Sequence, residues 1–220
     1  MDDGSNYFRL FEYGKCFKLN YVDSSQSQNL CKFSESNLDL IGFDLETTGL
    51  SPRAGDRVVS VGAVRIDFRT GKLLDEYTTL INPKRPVAAT FIHGISDEDV
   101  KDAPVFDEIY EDLLEFFKGG LIVGHNLRFD ESFLVSELIQ VDADIVDKYP
   151  SICTLGAAQK FLPNSRNHKL ATCMESLNIG FDNIHSAKQD ALASAQLLQK
   201  LVKVADLEIL IPFAGSINQL

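Results

Sequence analysis

The chain has 220 residues, 45% hydrophobic and 24% charged, an ordinary globular composition with enough material for a core that needs no disulfide or metal staple. No apolar run reaches the ~20 residues of a membrane span. The start, Met1-Asp2-Asp3-Gly4, lacks a secretory signal's basic and apolar regions, and four scattered cysteines (Cys16, Cys31, Cys153, Cys173) form no CxxC pair, so reduced thiols and a cytoplasmic location are expected. The net charge of −11, taken as an average, argues against a protein that grips nucleic acid through a basic surface.

Residues 1–38 differ in character from the rest of the chain. The apolar patches Tyr7-Phe8-Arg9-Leu10-Phe11 and Cys16-Phe17-Lys18-Leu19 precede a polar, linker-like stretch, Asp23-Ser24-Ser25-Gln26-Ser27-Gln28. This segment reads as an N-terminal extension of unknown role, with aromatic patches suited to packing on the main domain or on a partner. From Asp39 the pattern sharpens. Strand candidates at 40–45, 57–66 and 77–81 predict an antiparallel meander, with Asp67-Phe68-Arg69-Thr70-Gly71-Lys72 as a hairpin connection. Ser96 followed by Asp99 is a helix-start pattern. Pro104 is expected to open a helix that runs to Lys118 and stops at Gly119-Gly120, with Ile109, Leu113, Phe116 and Phe117 on its apolar face. A fourth strand at 121–123, a helix at 129–139, a short fifth strand at Ile152-Cys153 and helices at 154–161, 168–177 and 187–203 come next. The expected fold is an α/β domain over residues 39–203, a mixed five-stranded sheet flanked by helices, with a short C-terminal tail at 204–220.

Three segments carry candidate chemistry. In Phe43-Asp44-Leu45-Glu46-Thr47-Thr48-Gly49, strand alternation sends Asp44 and Glu46 to one face and Phe43 and Leu45 to the other. Two carboxylates so placed repel each other, and a bound hard cation such as Mg²⁺ or Mn²⁺ resolves the repulsion; a solvated strand end is the plain alternative. Thr47-Thr48-Gly49 adds a turn whose backbone can approach a ligand. Gly124-His125-Asn126-Leu127-Arg128-Phe129-Asp130 comes after the fourth strand, at the end of the sheet where α/β folds bind ligands. Asp130 sits in the first helical turn, a placement the helix dipole alone also favours. In His185-Ser186-Ala187-Lys188-Gln189-Asp190, Ser186 is a candidate cap and Asp190 lies in the first turn of the last helix. His185, on the preceding loop, has the pKa of a neutral-pH general base, although a surface histidine is often only that.

Asp44-x-Glu46, His125-Asn126-x-x-Phe129-Asp130 and His185-x-Ala187-x-x-Asp190 resemble, in order and spacing, the three motifs of the DnaQ-like 3′→5′ exonucleases of the DEDDh group. The resemblance covers residues 39–203. Ile81-Asn82-Pro83, His93-Gly94-Ile95-Ser96-Asp97-Glu98-Asp99-Val100 and Arg166-Asn167-His168-Lys169-Leu170 add to it. It is strongest to the proofreading, epsilon-type subunits of bacterial DNA polymerase III and their stand-alone homologues.

The resemblance implies a ribonuclease H-like fold and hydrolysis of DNA from its 3′ end to nucleoside 5′-monophosphates. It implies that Asp44, Glu46, Asp130 and Asp190 hold two Mg²⁺ or Mn²⁺ ions and that His185 takes the proton of the attacking water. Thr47, Gly49 and Leu50 would hold the 3′-terminal nucleotide, with His93 and Asn126 lining that pocket. The implied partners are single-stranded DNA 3′ ends, RNA ends in an RNase T or oligoribonuclease type of reading, and a DNA polymerase. No membrane partner is expected. The residues after the last helix show no long tether and no glutamine-led clamp-binding peptide, which weakens the replicative-subunit form of this reading. A non-catalytic binding module is disfavoured because all four acids and the histidine are present.

The charge then partitions. Four acids belong to the proposed metal site, and nine more (Asp97, Glu98, Asp99, Asp102, Asp107, Glu108, Glu111, Asp112, Glu115) cluster around a single base, Lys101. Setting these thirteen acids and that base aside leaves 19 of the 32 acids against 20 of the 21 bases. The charge therefore opposes tight electrostatic binding of duplex, not a pocket that grips a short 3′ end.

Overall fold

A computed structural model describes the strands at 7–13 and 16–22 and residues 38–143, 149–181, 186–204 and 214–217. The first two strands, β1 (Tyr7–Tyr13) and β2 (Cys16–Val22), form an antiparallel two-stranded sheet. The linker-like stretch lies outside the described residues.

The main sheet starts with β3 (Asp39–Thr47), which pairs antiparallel with β4 (Val58–Asp67); β5 (Leu73–Leu80) pairs antiparallel with β4 and forms one edge. This is the expected meander. Its hairpin is fixed by Asp67, whose carboxylate accepts the Thr70 N–H at 2.7 Å, and by Gly71 at φ +74°. β5 begins earlier than its sequence suggests, because an edge strand tolerates the exposed Leu73 and Leu74 and lacks the apolar alternation that marks a half-buried strand. Three short or single-faced helices come after it, α1 (Thr90–His93), α2 (Asp97–Val100) and α3 (Tyr110–Phe117). The Asp99 carboxylate accepts the Ser96 N–H at 2.8 Å, so the predicted helix start holds.

The helix expected from Pro104 to Lys118 is shorter. A 3₁₀ turn occupies Phe106–Glu108, and Ile109, at φ −124°, breaks the spiral before α3 begins. The Glu108 carboxylate folds back onto the Val105 N–H at 2.9 Å and caps the start of the 3₁₀ turn.

β6 (Gly120–Gly124) then runs parallel to β3 on the side away from β4. α4 (Arg128–Gln140) leads to β7 (Tyr149–Cys153), parallel to β6. The last helices are α5 (Thr154–Phe161), α6 (Leu170–Ser176) and α7 (Ala187–Val204). The five expected strands are present, and the tail adds a sixth, β8 (Ala214–Ile217), antiparallel to β7. The order is β5-β4-β3-β6-β7-β8.

Alternation along β3 divides the core. Ile41, Phe43 and Leu45 enter the cluster with Leu113, Phe117 and Phe133 from α3 and α4. Leu40 enters the opposite cluster with Ala157, Cys173 and Leu198 from α5, α6 and α7. Cys153 and Cys173 are packing residues, one half-buried and one buried. No helix among the described residues is long and apolar enough to cross a membrane.

On the α7 face, β3 presents Gly42 and β4 presents Gly62. A Cβ at Gly42 would stand 2.0 Å from the Ala191 carbonyl oxygen, and one at Gly62 would stand 2.1 Å from the Ala187 carbonyl carbon. Two glycines thus let α7 lie with its backbone directly on the sheet. That close approach builds the site.

Candidate active site

Asp44 and Glu46 come after Gly42 at strand spacing and share its face. Asp190 lies on α7 between Ala187 and Ala191, the two residues held against the glycines, and its N–H donates to the Ser186 carbonyl at 3.0 Å as the helix begins. Carboxylate oxygens of Asp44, Glu46 and Asp190 consequently all lie within 4.8 Å of one another.

The fourth acid arrives from the other side. β3 pairs with β6 only as far as Gly42 opposite Val123, so beyond it the Leu45 N–H has no strand partner on that side. Asp130, buried in the first turn of α4, accepts this N–H at 3.0 Å. Asn126, exposed and at φ +67°, turns the chain from β6 into that helix. Burial raises the Asp44 pKa well above the carboxylate range, and the charges of Asp130, Asp190 and Glu46 push the same way. Burial, with the Asp190 charge, brings Glu46 to about 7. Burial brings Asp130 to about 8 although the Leu45 N–H opposes the shift. Four acids held this close without a counter-charge repel strongly, and their oxygen-only donor set fits a hard divalent cation.

One wall of the site is the turn after β3. The Thr47 hydroxyl donates to the Gly49 carbonyl at 2.6 Å. Asp56 lies beneath the turn: it accepts the Ser51 N–H at 3.1 Å and the Thr48 hydroxyl at 3.3 Å, and pairs with Arg85 at 3.4 Å. A Cβ on Gly49 would meet the Asp56 carboxylate at 2.3 Å, so a side chain there would displace Asp56 from beneath the turn. His93 accepts the Ile95 N–H on Nδ1 at 3.1 Å, which leaves the Nε2 proton to reach the Thr47 carbonyl at 3.2 Å. Thr47, Gly49, Leu50 and His93 are therefore brought together beside Glu46. Leu50 is 77% exposed and Phe91, two residues before His93, is 87% exposed, so the turn and α1 carry apolar side chains in contact with solvent.

Asn126 is brought near Asp130 by chain continuity. His185 lies outside the described residues; Ser186 and α7 fix only the segment after it. His125 does not face the acids. Its Nε2–H donates to the His168 carbonyl at 2.7 Å and its Nδ1 meets the Thr154 hydroxyl at 3.0 Å, while burial lowers its pKa. It braces the turn.

Sequence reasoning did not single out Phe91, Asp56 or Glu137. Glu137, buried on α4, accepts Arg57 Nε and Nη2 at 2.8 and 2.6 Å and the Val58 N–H at 3.0 Å. The one signal for Glu137 was its position seven residues after Asp130, two turns along one helix face.

A mixed sheet of this order, with carboxylates gathered where the central strand meets the last helix, defines a ribonuclease H-like fold of the nuclease class. The chain belongs to the exonuclease family, RNase_T, whose pattern matches residues 41–198. It is 34% identical over 178 residues to a PolC-type DNA polymerase III of Caldanaerobacter subterraneus, covering 77% of this chain and 12% of that protein. It is 36% identical over 175 residues to the DNA polymerase III epsilon subunit of Rickettsia conorii, covering 76% of this chain and 75% of that one. The chain thus spans about an eighth of the PolC-type relatives it matches. Among solved structures, the zinc-bound complex of Escherichia coli exonuclease I with single-stranded DNA superposes with a TM-score of 0.66 at 21% identity, over 80% of this chain and 42% of that one. That likeness concerns the fold.

Proposed function

We propose that residues 39–203 form a metal-dependent 3′→5′ exonuclease that removes nucleoside 5′-monophosphates from single-stranded DNA 3′ ends, in proofreading or repair beside a DNA polymerase in the cytoplasm. The observation that carries this reading is the trio Asp44, Glu46 and Asp190, with oxygens within 4.8 Å of one another, next to the buried Asp130. Family membership supports it, as does the epsilon-subunit relative, three quarters of which the chain covers.

In this reading Asp44, Glu46, Asp130 and Asp190 hold two Mg²⁺ or Mn²⁺ ions. When bound, the ions supply positive charge to the attacking and leaving oxygens of the phosphodiester. The chain's own residues do the rest. Thr47, Gly49 and Leu50 hold the terminal nucleotide, with the Leu50 side chain against its base. His93 fixes the Thr47 carbonyl and, with Asn126, walls the pocket. His185 takes the proton from the attacking water as the new P–O bond forms, and the 3′ oxygen of the preceding nucleotide leaves. The stiffness of the acids' supports keeps the reacting geometry from drifting.

The test uses 3′-labelled single-stranded DNA and RNA side by side, with Mg²⁺ or Mn²⁺ and with a chelator. Shortening from the 3′ end is expected on DNA. It should be abolished by chelation and by Asp44→Ala, with the circular dichroism of that variant unchanged. Equal digestion by Asp44→Ala overturns the site, and RNA cleaved in preference to DNA overturns the substrate.

A further inference from the structure

The chain's acidity stops at one side of the site. From Lys148 to Met174 there is no Asp or Glu, and the run contains Lys160, Arg166, His168 and Lys169. Its loop, residues 162–169 between α5 and α6, is exposed at Pro163, Asn164, Arg166, Asn167 and Lys169. The loop has a defined shape. The Ser165 hydroxyl donates to the Asn167 carbonyl at 2.6 Å, the Lys169 N–H donates to the Asn167 side-chain oxygen at 3.0 Å, and His168 Nε2 reaches the Leu162 carbonyl at 3.1 Å.

His125 ties this loop to the site. Its bond to the His168 carbonyl places Lys169 one residue from the tether on one side, and Asn126 one residue from it on the other. Arg128, exposed, opens α4 two residues before Asp130. The sheet sets the direction. β3, β6 and β7 are parallel, so Thr47, Gly124 and Cys153 end at the same side of the sheet. The Thr47–Leu50 turn lies towards β4, and loop 162–169 is fastened towards β7. A strand whose 3′ nucleotide sits in the turn, and which crosses the acids, meets Arg128 and then the loop.

We propose that Arg128, Arg166 and Lys169 form a track for the phosphates 5′ of the terminal nucleotide of a single strand. This rests on the exonuclease reading above and names how that site grips its substrate. The carboxylates repel the phosphodiester chain, and the segment around α2 and α3 is dense in acids. The stretch where the acids stop therefore offers complementary charge to phosphates beyond the scissile one. The pair of Arg166 with Glu175, at 3.2 Å, is no obstacle: both side chains are more than 70% exposed, and such pairs are weak enough for a phosphate to displace.

The experiment compares the parent with the double variant Arg166→Glu, Lys169→Glu. The substrates are the p-nitrophenyl ester of thymidine 5′-monophosphate, which has no upstream phosphate, and a single-stranded DNA 12-mer. The variant should hydrolyse the ester at the parental rate and show an at least tenfold higher KM on the 12-mer with kcat retained. Its salt slope should fall by about 1.4, two contacts at about 0.7 each for a single strand. An unchanged KM and slope on the 12-mer overturns the track, as does loss of ester hydrolysis in the variant. A parent inactive on both substrates overturns the exonuclease reading instead, a failure visible without any variant.

Discussion

Gly62→Ala tests how the site is assembled. A Cβ at this position would stand 2.1 Å from the Ala187 carbonyl carbon, where ordinary contact begins near 3.4 Å, so α7 or β4 must retreat by about 1.3 Å. The contacting atoms are backbone, and no rotamer change relieves them. Overpacking of this kind costs about 1–3 kcal/mol. Ala187 is three residues before Asp190, so the retreat also carries that carboxylate away from Asp44 and Glu46. A misplacement of roughly 1 Å can cost about a hundredfold in rate. Urea denaturation should show a lower midpoint with an unchanged slope, and cleavage of 3′-labelled DNA should fall by more than the unfolded fraction explains. Gly180→Ala is the control: no atom lies within 4 Å of its added Cβ, so its midpoint and rate should match the parent. Parental stability and parental rate in Gly62→Ala would refute the reasoning.

Glu46 is held at about 7 and Asp130 at about 8, above their ordinary 4.5 and 3.8, so the folded state binds more protons than the unfolded chain. In chelator the melting temperature should therefore fall as pH rises from about 5 to about 8, and Mn²⁺ or Mg²⁺ should restore it at the upper end; a flat profile, or no response to the ion, contradicts the cluster. Glu137→Gln removes the charge facing Arg57 and should destabilise by about 2 kcal/mol in a denaturant titration, less than for a fully buried pair because Arg57 is 25% exposed. An unchanged midpoint would mean that the pair contributes nothing. His185→Ala should depress turnover and remove the acid-side limb of the pH–rate profile, the rise in rate as the imidazole loses its proton, while metal affinity stays put. A profile that keeps its shape would exclude the base role.

The acids of the site were legible in the sequence because their geometry is local. Strand alternation puts Asp44 and Glu46 on one face, and helix starts put Asp130 and Asp190 in first turns. What brings these three elements together is not local. The contact of Gly62 with Ala187 joins residues far apart in the chain, and a glycine in a strand pattern signals close approach without naming the partner. Arg57 and Glu137 are likewise 80 positions apart. The break in the predicted 104–118 helix was hidden for another reason: the apolar face that marked it, Ile109, Leu113, Phe116 and Phe117, begins only at the break, so nothing periodic covered 104–108. β8 lay in a stretch of the tail whose strand pattern emerges only when β7 offers it an edge.

The supports of the four acids explain why a repulsive cluster can persist in a folded chain. Asp130 is anchored by a backbone N–H that the sheet leaves unpaired, and Asp190 rides on a helix docked through two glycines. Asp44 and Glu46 belong to the central strand, whose opposite face is filled by Phe43 and Leu45. None of the four can relieve the repulsion by turning a loop outward, so the strain is relieved by taking up protons or by binding a cation. A site on flexible loops would open when its metal left and would have to reassemble for each binding event. Here the folding energy of two hydrophobic layers holds the acids in place beforehand, and a cation that binds returns part of that energy as added stability.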